Sequence, residues 1–189
     1  MQLKDILNKN GFRFNKRFGQ NFLTDPVLLD DIVAKSGITE NDTVVEIGCG
    51  GGTLTAAVAP QKKAKRVIGF EIDANLKPVL AETLAGFDNV EIIFKDVMKT
   101  GTEEIEKICG GEFSVVANIP YYITTPILMK FVEESEKVKS ITVTIEAEVA
   151  DRLTAKPGTE DYGAITAGID LVGNAEQLLF IDRKKFYPA

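Results

Sequence analysis

The chain has 189 residues, 44% of them hydrophobic and 26% charged, the proportions of an ordinary globular domain with one sizeable core. It contains no histidine, and its two cysteines, Cys49 and Cys109, lie far apart; Ser-His and Cys-His nucleophilic sites, His-ligated metals and cysteine-spaced zinc sites are thereby excluded. A net charge of −6 argues against a broad nucleic-acid-binding surface, and no apolar run approaches the roughly 20 residues of a membrane span.

Residues 1–24 form a basic segment, in which Lys4, Lys9, Arg13, Lys16 and Arg17 outnumber a lone Asp5. It lacks the apolar core of a signal peptide, so the expected location is cytoplasmic. Asp25-Pro26 ahead of "VLLDDIVAKSG" reads as an N-cap with proline in the first turn and Gly37 closing the helix. From Thr43 onward, short β-branched runs at 43–47, 66–70, 90–94, 113–117 and 140–145 read as buried strands. Between them, 53–60, 74–85, 103–108 and 125–135 read as helices. That alternation implies a parallel sheet covered on both faces. In the last third, "YGAITAGIDLVG" (162–173) and "EQLLFID" (176–182) flank Gly173-Asn174-Ala175 and read as an antiparallel hairpin. The expected fold is α/β, a Rossmann-like, seven-stranded, mostly parallel sheet with one antiparallel strand.

In open α/β sheets ligands bind beyond the carboxyl ends of the strands. The first strand is followed by "EIGCGGGTLT", with Glu46, Gly48, Gly50, Gly51 and Gly52 ahead of a helix. A dinucleotide fingerprint would need a third glycine where Thr53 stands. The spacing E-x-G-x-G-x-G is instead the form associated with S-adenosylmethionine. Glu71, followed by Ile72, stands after the second strand, where a carboxylate can accept both ribose hydroxyls; Asp73 can cap the next helix. Asp96 after the third strand can accept an adenine amine while Val97 packs on the ring. These residues together describe an adenosine clamp with one contact per strand end. The fourth strand ends in "NIPYYITTP". The Asn118 side-chain oxygen and the Ile119 carbonyl can hold an aromatic amine by two hydrogen bonds and free its lone pair for methylation. Pro120 stiffens the turn, and Tyr121 offers a face for a flipped-out base.

These motifs resemble the rRNA adenine N6-dimethyltransferase family, in particular its small-subunit branch. The resemblance covers about residues 10–189 and rests also on "FGQNFLTD" (18–25), "AKPGTEDYG" (155–163) and Phe186-Tyr187-Pro188. It implies a catalytic domain over residues 25–189 that uses S-adenosylmethionine and leaves S-adenosylhomocysteine. Gln20, Asn21 and Leu23 would close over the cofactor, with Glu46, Gly48, Gly50 and Gly52 in the glycine loop. Glu71 and Ile72 would hold the ribose, Asp96 and Val97 the adenine, and Asn118 would stand between cofactor and target. Tyr121 and Phe186 would sandwich the target base. The family dimethylates adjacent adenines near the 3′ end of small-subunit rRNA and acts in ribosome assembly. The implied partner is that rRNA within a pre-assembled ribosomal particle, met by a monomer.

The chain departs from the family pattern in three places. It stops at Ala189 within F-x-P-x-P-x-V, so the family's C-terminal helical domain is expected to be absent, as in a fragment or a shortened version. Glu146-Ala147-Glu148 stands where the family has Gln-Lys-Glu, and Asp170 replaces a usual Gln; facing RNA, these changes would weaken phosphate attraction. Two other readings remain open: a cofactor-binding core serving as an assembly module without independent activity, and a large-subunit rRNA resistance methylase. Cys49, where the family often has Pro, reads as a small buried filler.

Overall fold

A computed structural model describes residues 2–15 and 18–188; Lys16 and Arg17 of the basic segment lie outside the described residues. The chain opens with α1 (Leu3–Lys9), then β1 (Phe22–Leu23) and α2 (Pro26–Lys35). Four strand-helix steps and a closing strand follow: β2 (Thr43–Ile47), α3 (Thr53–Val58), β3 (Arg66–Phe70), α4 (Lys77–Thr83), β4 (Val90–Ile93), α5 (Thr102–Cys109), β5 (Phe113–Ala117), α6 (Tyr121–Glu134) and β6 (Val138–Val143). α7 (Ala147–Leu153), α8 (Ala164–Asp170) and β7 (Phe186–Tyr187) complete it.

Strands β2 to β6 form one parallel sheet in the order β4-β3-β2-β5-β6. Alternate residues of each strand feed opposite faces, which is why the strands are apolar throughout rather than alternating. On one face Val45, Ile68, Phe70 and Val115 pack against Ile105 of α5 and Ile127 and Phe131 of α6. On the other, Val44, Val67 and Val116 pack against Leu29, Ile32 and Val33 of α2 and Val58 of α3. Asp25 caps α2 as expected, its side chain accepting from the Val27 and Leu28 amides.

Part of the basic N-terminal segment forms α1. Leu3, Ile6 and Leu7 recur at helical spacing and bury against Val79 and Leu80 of α4. A Lys9–Glu82 ion pair at 2.9 Å fixes the outer side of that contact.

The strand count corrects the expected seven. Among the described residues the main sheet has five strands, all parallel, and the antiparallel pairing is a separate two-stranded ribbon of β1 and β7. The expected 162–173/176–182 hairpin does not form. Its first arm folds as α8 because Ile165, Thr166 and Ile169 share a helix face, packing on Leu128 of α6 and Leu153 of α7. The Thr166 hydroxyl also donates to the Arg152 carbonyl at 2.7 Å. Here the 3.6-residue period overrides the strand-like composition. The second arm forms no regular element, Leu179 and Ile181 packing inward while Phe180 stays 85% exposed. Asp170 accepts from the Tyr162 hydroxyl at 3.1 Å, which gives that departure a partner within the chain.

Candidate active site at the strand ends

Parallel register builds the site. Ile47 pairs with Phe70 on one side and Ala117 on the other, and Ala117 pairs with Val143. Gly48, Glu71, Asn118 and Thr144, each the next residue, therefore emerge level at one edge of the sheet. The chain leaves β2 for β3 and returns to pair β5 with β2, and a crevice opens where the strand order switches. A cavity of about 400 Å³ occupies it. The cavity is lined by every site residue expected from the sequence except Gly52. Gly52 instead precedes α3, and a Cβ there would meet Leu80 of α4 at 3.0 Å. The third glycine, at φ +79°, lies against α4 rather than along the cavity wall.

The other two glycines are demanded by both conformation and space. Gly48 has φ +72° and Gly50 φ +52°, values that disfavour a side chain. Added Cβ atoms would stand 2.8 Å from Ile119 and 2.6 Å from Phe22. The loop is thus pressed between the Asn118 turn and the β1 segment above it. Cys49 buries its sulfur in the space that a Cβ on Gly69 would need, at 2.3 Å. Burial above all, then the neighbouring Glu46 and Glu71, push its thiol well above the ordinary range, so it is an inert filler.

Glu71 organises this loop. Its two carboxylate oxygens accept from the Gly50 and Asp73 amides, each at 2.8 Å. Burial raises its pKa and these backbone hydrogen bonds oppose the rise. Asp73 accepts from the Asn75 amide, the capping role read from the sequence, and from Gln20 Nε2 at 2.8 Å. The Gln20 oxygen accepts from the Asn15 amide, so Gln20 is committed to the protein at both ends of its amide. Asp96 accepts from Met98 and caps the short turn Val97–Lys99, with Val97 buried beside it. Ile72 stays half exposed at the rim.

Glu46 is the anomaly. It is 1% exposed, and its Oε2 has no hydrogen-bond partner among the described residues. Burial pushes its pKa up to about 8, opposed by the neighbouring Thr55 hydroxyl and reinforced by the charge of Glu71. Between about pH 5 and 8 the folded chain holds a proton here that the unfolded chain has released, so stability should fall as pH rises through that window, by at most about 1.4 kcal/mol per pH unit. Glu71 acts in the same direction. The carboxyls held low, Asp25, Asp42, Glu82 and Glu106, titrate below the window. Thermal melts at pH 5.5 and 8 should show this loss in the native chain and a much smaller one in Glu46→Gln; equal losses would remove Glu46 as the cause.

A roof from both ends of the chain covers the cavity. The 18–23 segment runs into β1, whose Phe22 and Leu23 pair with Tyr187 and Phe186 of β7. Phe14 lies 5.6 Å from both the Phe22 and the Tyr187 rings. The Leu23 carbonyl accepts from Thr53 at 2.6 Å, and Asn118 Nδ2 donates to the Asn21 carbonyl at 3.0 Å. Lys185 pairs with Asp25, clamping the strand entry and holding the Asp25 carboxyl low. Ile119 is buried, while Tyr121, the first residue of α6, is 44% exposed. Tyr121 and Phe186 line the same cavity from α6 and β7.

Carboxyl groups dominate the charged lining of the site, and a bound cation would favour ionising the buried Glu46. Glu46, Glu71 and Asp96 line the cavity, and the lysine among the described lining residues, Lys95, is paired with Glu104 at 2.8 Å. Phe22, Thr53, Lys95 and Tyr122 also line the cavity and were not singled out from the sequence. "QNFL" contains Phe22, but its neighbours were legible only once the roof was built.

Comparison with known proteins gives a consistent picture. A family model described as "Ribosomal RNA adenine dimethylase" matches residues 11–189. Proteins named "Ribosomal RNA small subunit methyltransferase A" are similar: that of Alkaliphilus oremlandii is 45% identical over 98% of this chain and 64% of its own length. That of Bacillus licheniformis is 44% identical over 100% of this chain and 65% of its own. The chain thus spans somewhat less than two thirds of these relatives. Among solved structures, a dimethyladenosine transferase from Plasmodium falciparum superposes with a TM-score of 0.67 at 31% identity, over 79% of this chain and 52% of that one. The 23S rRNA methyltransferase ErmE gives 0.61 at 28%, over 70% and 51%. A putative RNA methyltransferase from Pyrococcus horikoshii, at 0.57 and 21% identity over 80% and 77%, shares the fold.

Proposed function

The chain belongs to the ribosomal RNA adenine dimethylase family, and from that premise we propose that it transfers methyl groups from S-adenosylmethionine to the N6 amines of adjacent adenines near the 3′ end of small-subunit rRNA. The observation that carries the reading is the level placement of an acid-lined cavity and the Asn118-Ile119 turn at one sheet edge. The small-subunit target is favoured over the large-subunit one because relatives with that name are up to 47% identical among those compared, against 28% for ErmE. The reading extends to a monomer acting in the cytoplasm on small-subunit rRNA within a pre-assembled ribosomal particle. Among the described residues no helix is long and apolar enough to cross a membrane.

The residues fit the cofactor. Glu46 is among the residues that line the cavity and keeps a buried oxygen without a hydrogen-bond partner among the described residues; a cation bound beside it would offset the desolvation that keeps it protonated. Bound S-adenosylmethionine supplies an electrophilic methyl group on a positively charged sulfur. Glu71 retains lone pairs for the ribose hydroxyls beyond its two amide contacts, and Asp96 beside Val97 suits an adenine edge and face. The Asn118 oxygen and the Ile119 carbonyl accept the two N–H bonds of the target amine. They fix its direction and draw its lone pair out of ring conjugation. No histidine exists in the chain, and none is required, because the amine sheds its proton to water only after it has become cationic. Tyr121 and Phe186 supply apolar surface for the extruded base at a stacking value of about 1–3 kcal/mol.

Calorimetry tests the cofactor assignment. S-adenosylmethionine and S-adenosylhomocysteine should bind at one site, with an apparent enthalpy at pH 7 for the cationic donor that shifts with the buffer's heat of ionisation as Glu46 releases its proton. A dinucleotide binding more tightly than both would overturn the reading.

A further inference from the structure

We propose that Thr144 is a positioning residue for recognition of the target amine: its hydroxyl locks the Asn118 amide in the one orientation that presents an acceptor to the cavity. The inference rests on the adenine-N6 reading above. The register places Thr144 beside Asn118, each one residue past the Ala117–Val143 pair, and the Thr144 amide continues the ladder by donating to the Ala117 carbonyl at 3.0 Å. The Thr144 Oγ1 then lies 2.6 Å from Asn118 Oδ1, at the short end of the O–H···O range.

Chemistry assigns the direction of every bond in this chain. The Asn21 carbonyl can only accept, so the atom facing it at 3.0 Å must be the Asn118 nitrogen. The Asn118 oxygen is therefore turned to Thr144, and since an amide oxygen can only accept, the hydroxyl must donate. One Oδ1 lone pair is taken and the second is left for an incoming N–H. Without the hydroxyl the amide is held at its nitrogen alone and can rotate about its last side-chain bond, swinging the acceptor off the line of the target amine. Donation from Nδ2 to the roof and acceptance at Oδ1 also polarise the amide in the same sense, so the three groups act as one network. The roof segment and the end of β6 are thereby coupled to the residue that meets the substrate.

Thr144→Val keeps shape and β-branching and removes only the donor; Thr144→Ser keeps the donor. The account expects Thr144→Val to lower kcat for methyl transfer roughly tenfold, the scale of one lost hydrogen bond, with KM for S-adenosylmethionine within about twofold and Thr144→Ser near the native rate. In an Asn118→Ala background the valine change should add nothing, since the two residues act as a unit. A readout independent of activity is the Asn118 side-chain amide in nuclear magnetic resonance. Its protons should exchange faster and their shifts collapse toward free values in Thr144→Val and not in Thr144→Ser. A native rate in the valine variant, equal losses in valine and serine variants, or an unmoved amide signal would each overturn the assignment. Absence of transfer by the native chain would instead count against the adenine reading, and the amide signal would still decide whether Thr144 pins Asn118.

Discussion

Replacing Asn118 by Ala is expected to lower methyl transfer by about 10²–10³-fold, the usual scale for losing one aligned hydrogen-bonding group at the reacting atoms, while S-adenosylmethionine affinity changes little. Two features of the structure make the loss specific. Asn118 meets the cavity beside Ile119 at the carboxyl end of β5, whereas Glu71, to which the proposal assigns the ribose, lies beyond β3. Asn118→Asp is also expected to fail, for a different reason. It keeps an oxygen toward Thr144 but turns a second oxygen on the Asn21 carbonyl, where the native nitrogen donates at 3.0 Å. Two acceptors then face each other, and the roof is pushed away. Steady-state rates with separate cofactor titrations distinguish the cases. An Asn118→Ala variant with native turnover would take the residue out of the chemistry.

The second large effect belongs to Glu71 and falls on stability and binding together. Its carboxylate satisfies the Gly50 and Asp73 amides at once. Glu71→Ala leaves both buried without an acceptor, at about 1–3 kcal/mol each, and should lower the melting temperature by about 5–15 °C for a chain of this size. The freed glycine loop also loses its register against Phe22, so cofactor binding should vanish from calorimetry. Glu71→Gln is informative because it keeps the shape: one oxygen still accepts, but its amide nitrogen must face an N–H donor. It should lose stability as well, by less than alanine. A glutamine variant as stable as the native chain would show that one of the two amide contacts is dispensable.

The parts of this architecture visible in the sequence were those governed by local pattern. The runs at 43–47, 66–70 and 113–117 are strands with those same bounds, because strands buried on both faces need uninterrupted apolar residues bounded by turn formers. The residues after them followed from the parallel rule for open sheets. What escaped depended on pairing at long range. Leu3, Ile6 and Leu7 have helical spacing, but a segment so short and basic gains its helix only from α4. The β1–β7 ribbon joins residues 22–23 to 186–187, and two-residue strands carry no periodic signal. The 162–173 segment mixes β-branched residues with a helical period, and packing on Leu128 and Leu153 decided for the helix. Gly52 looked like its neighbours in sequence, yet the turn points it at α4. Thr144 sat inside a strand-like run, and only the β5–β6 register set it beside Asn118.

The measurement that tests the account most directly is methyl transfer from labelled S-adenosylmethionine to small-subunit particles lacking the modification, followed by nucleoside analysis of the rRNA. The account predicts label in N6-methylated adenosine with the native chain and next to none with Asn118→Ala. Label on another base or ring position, or equal label with both proteins, would contradict it.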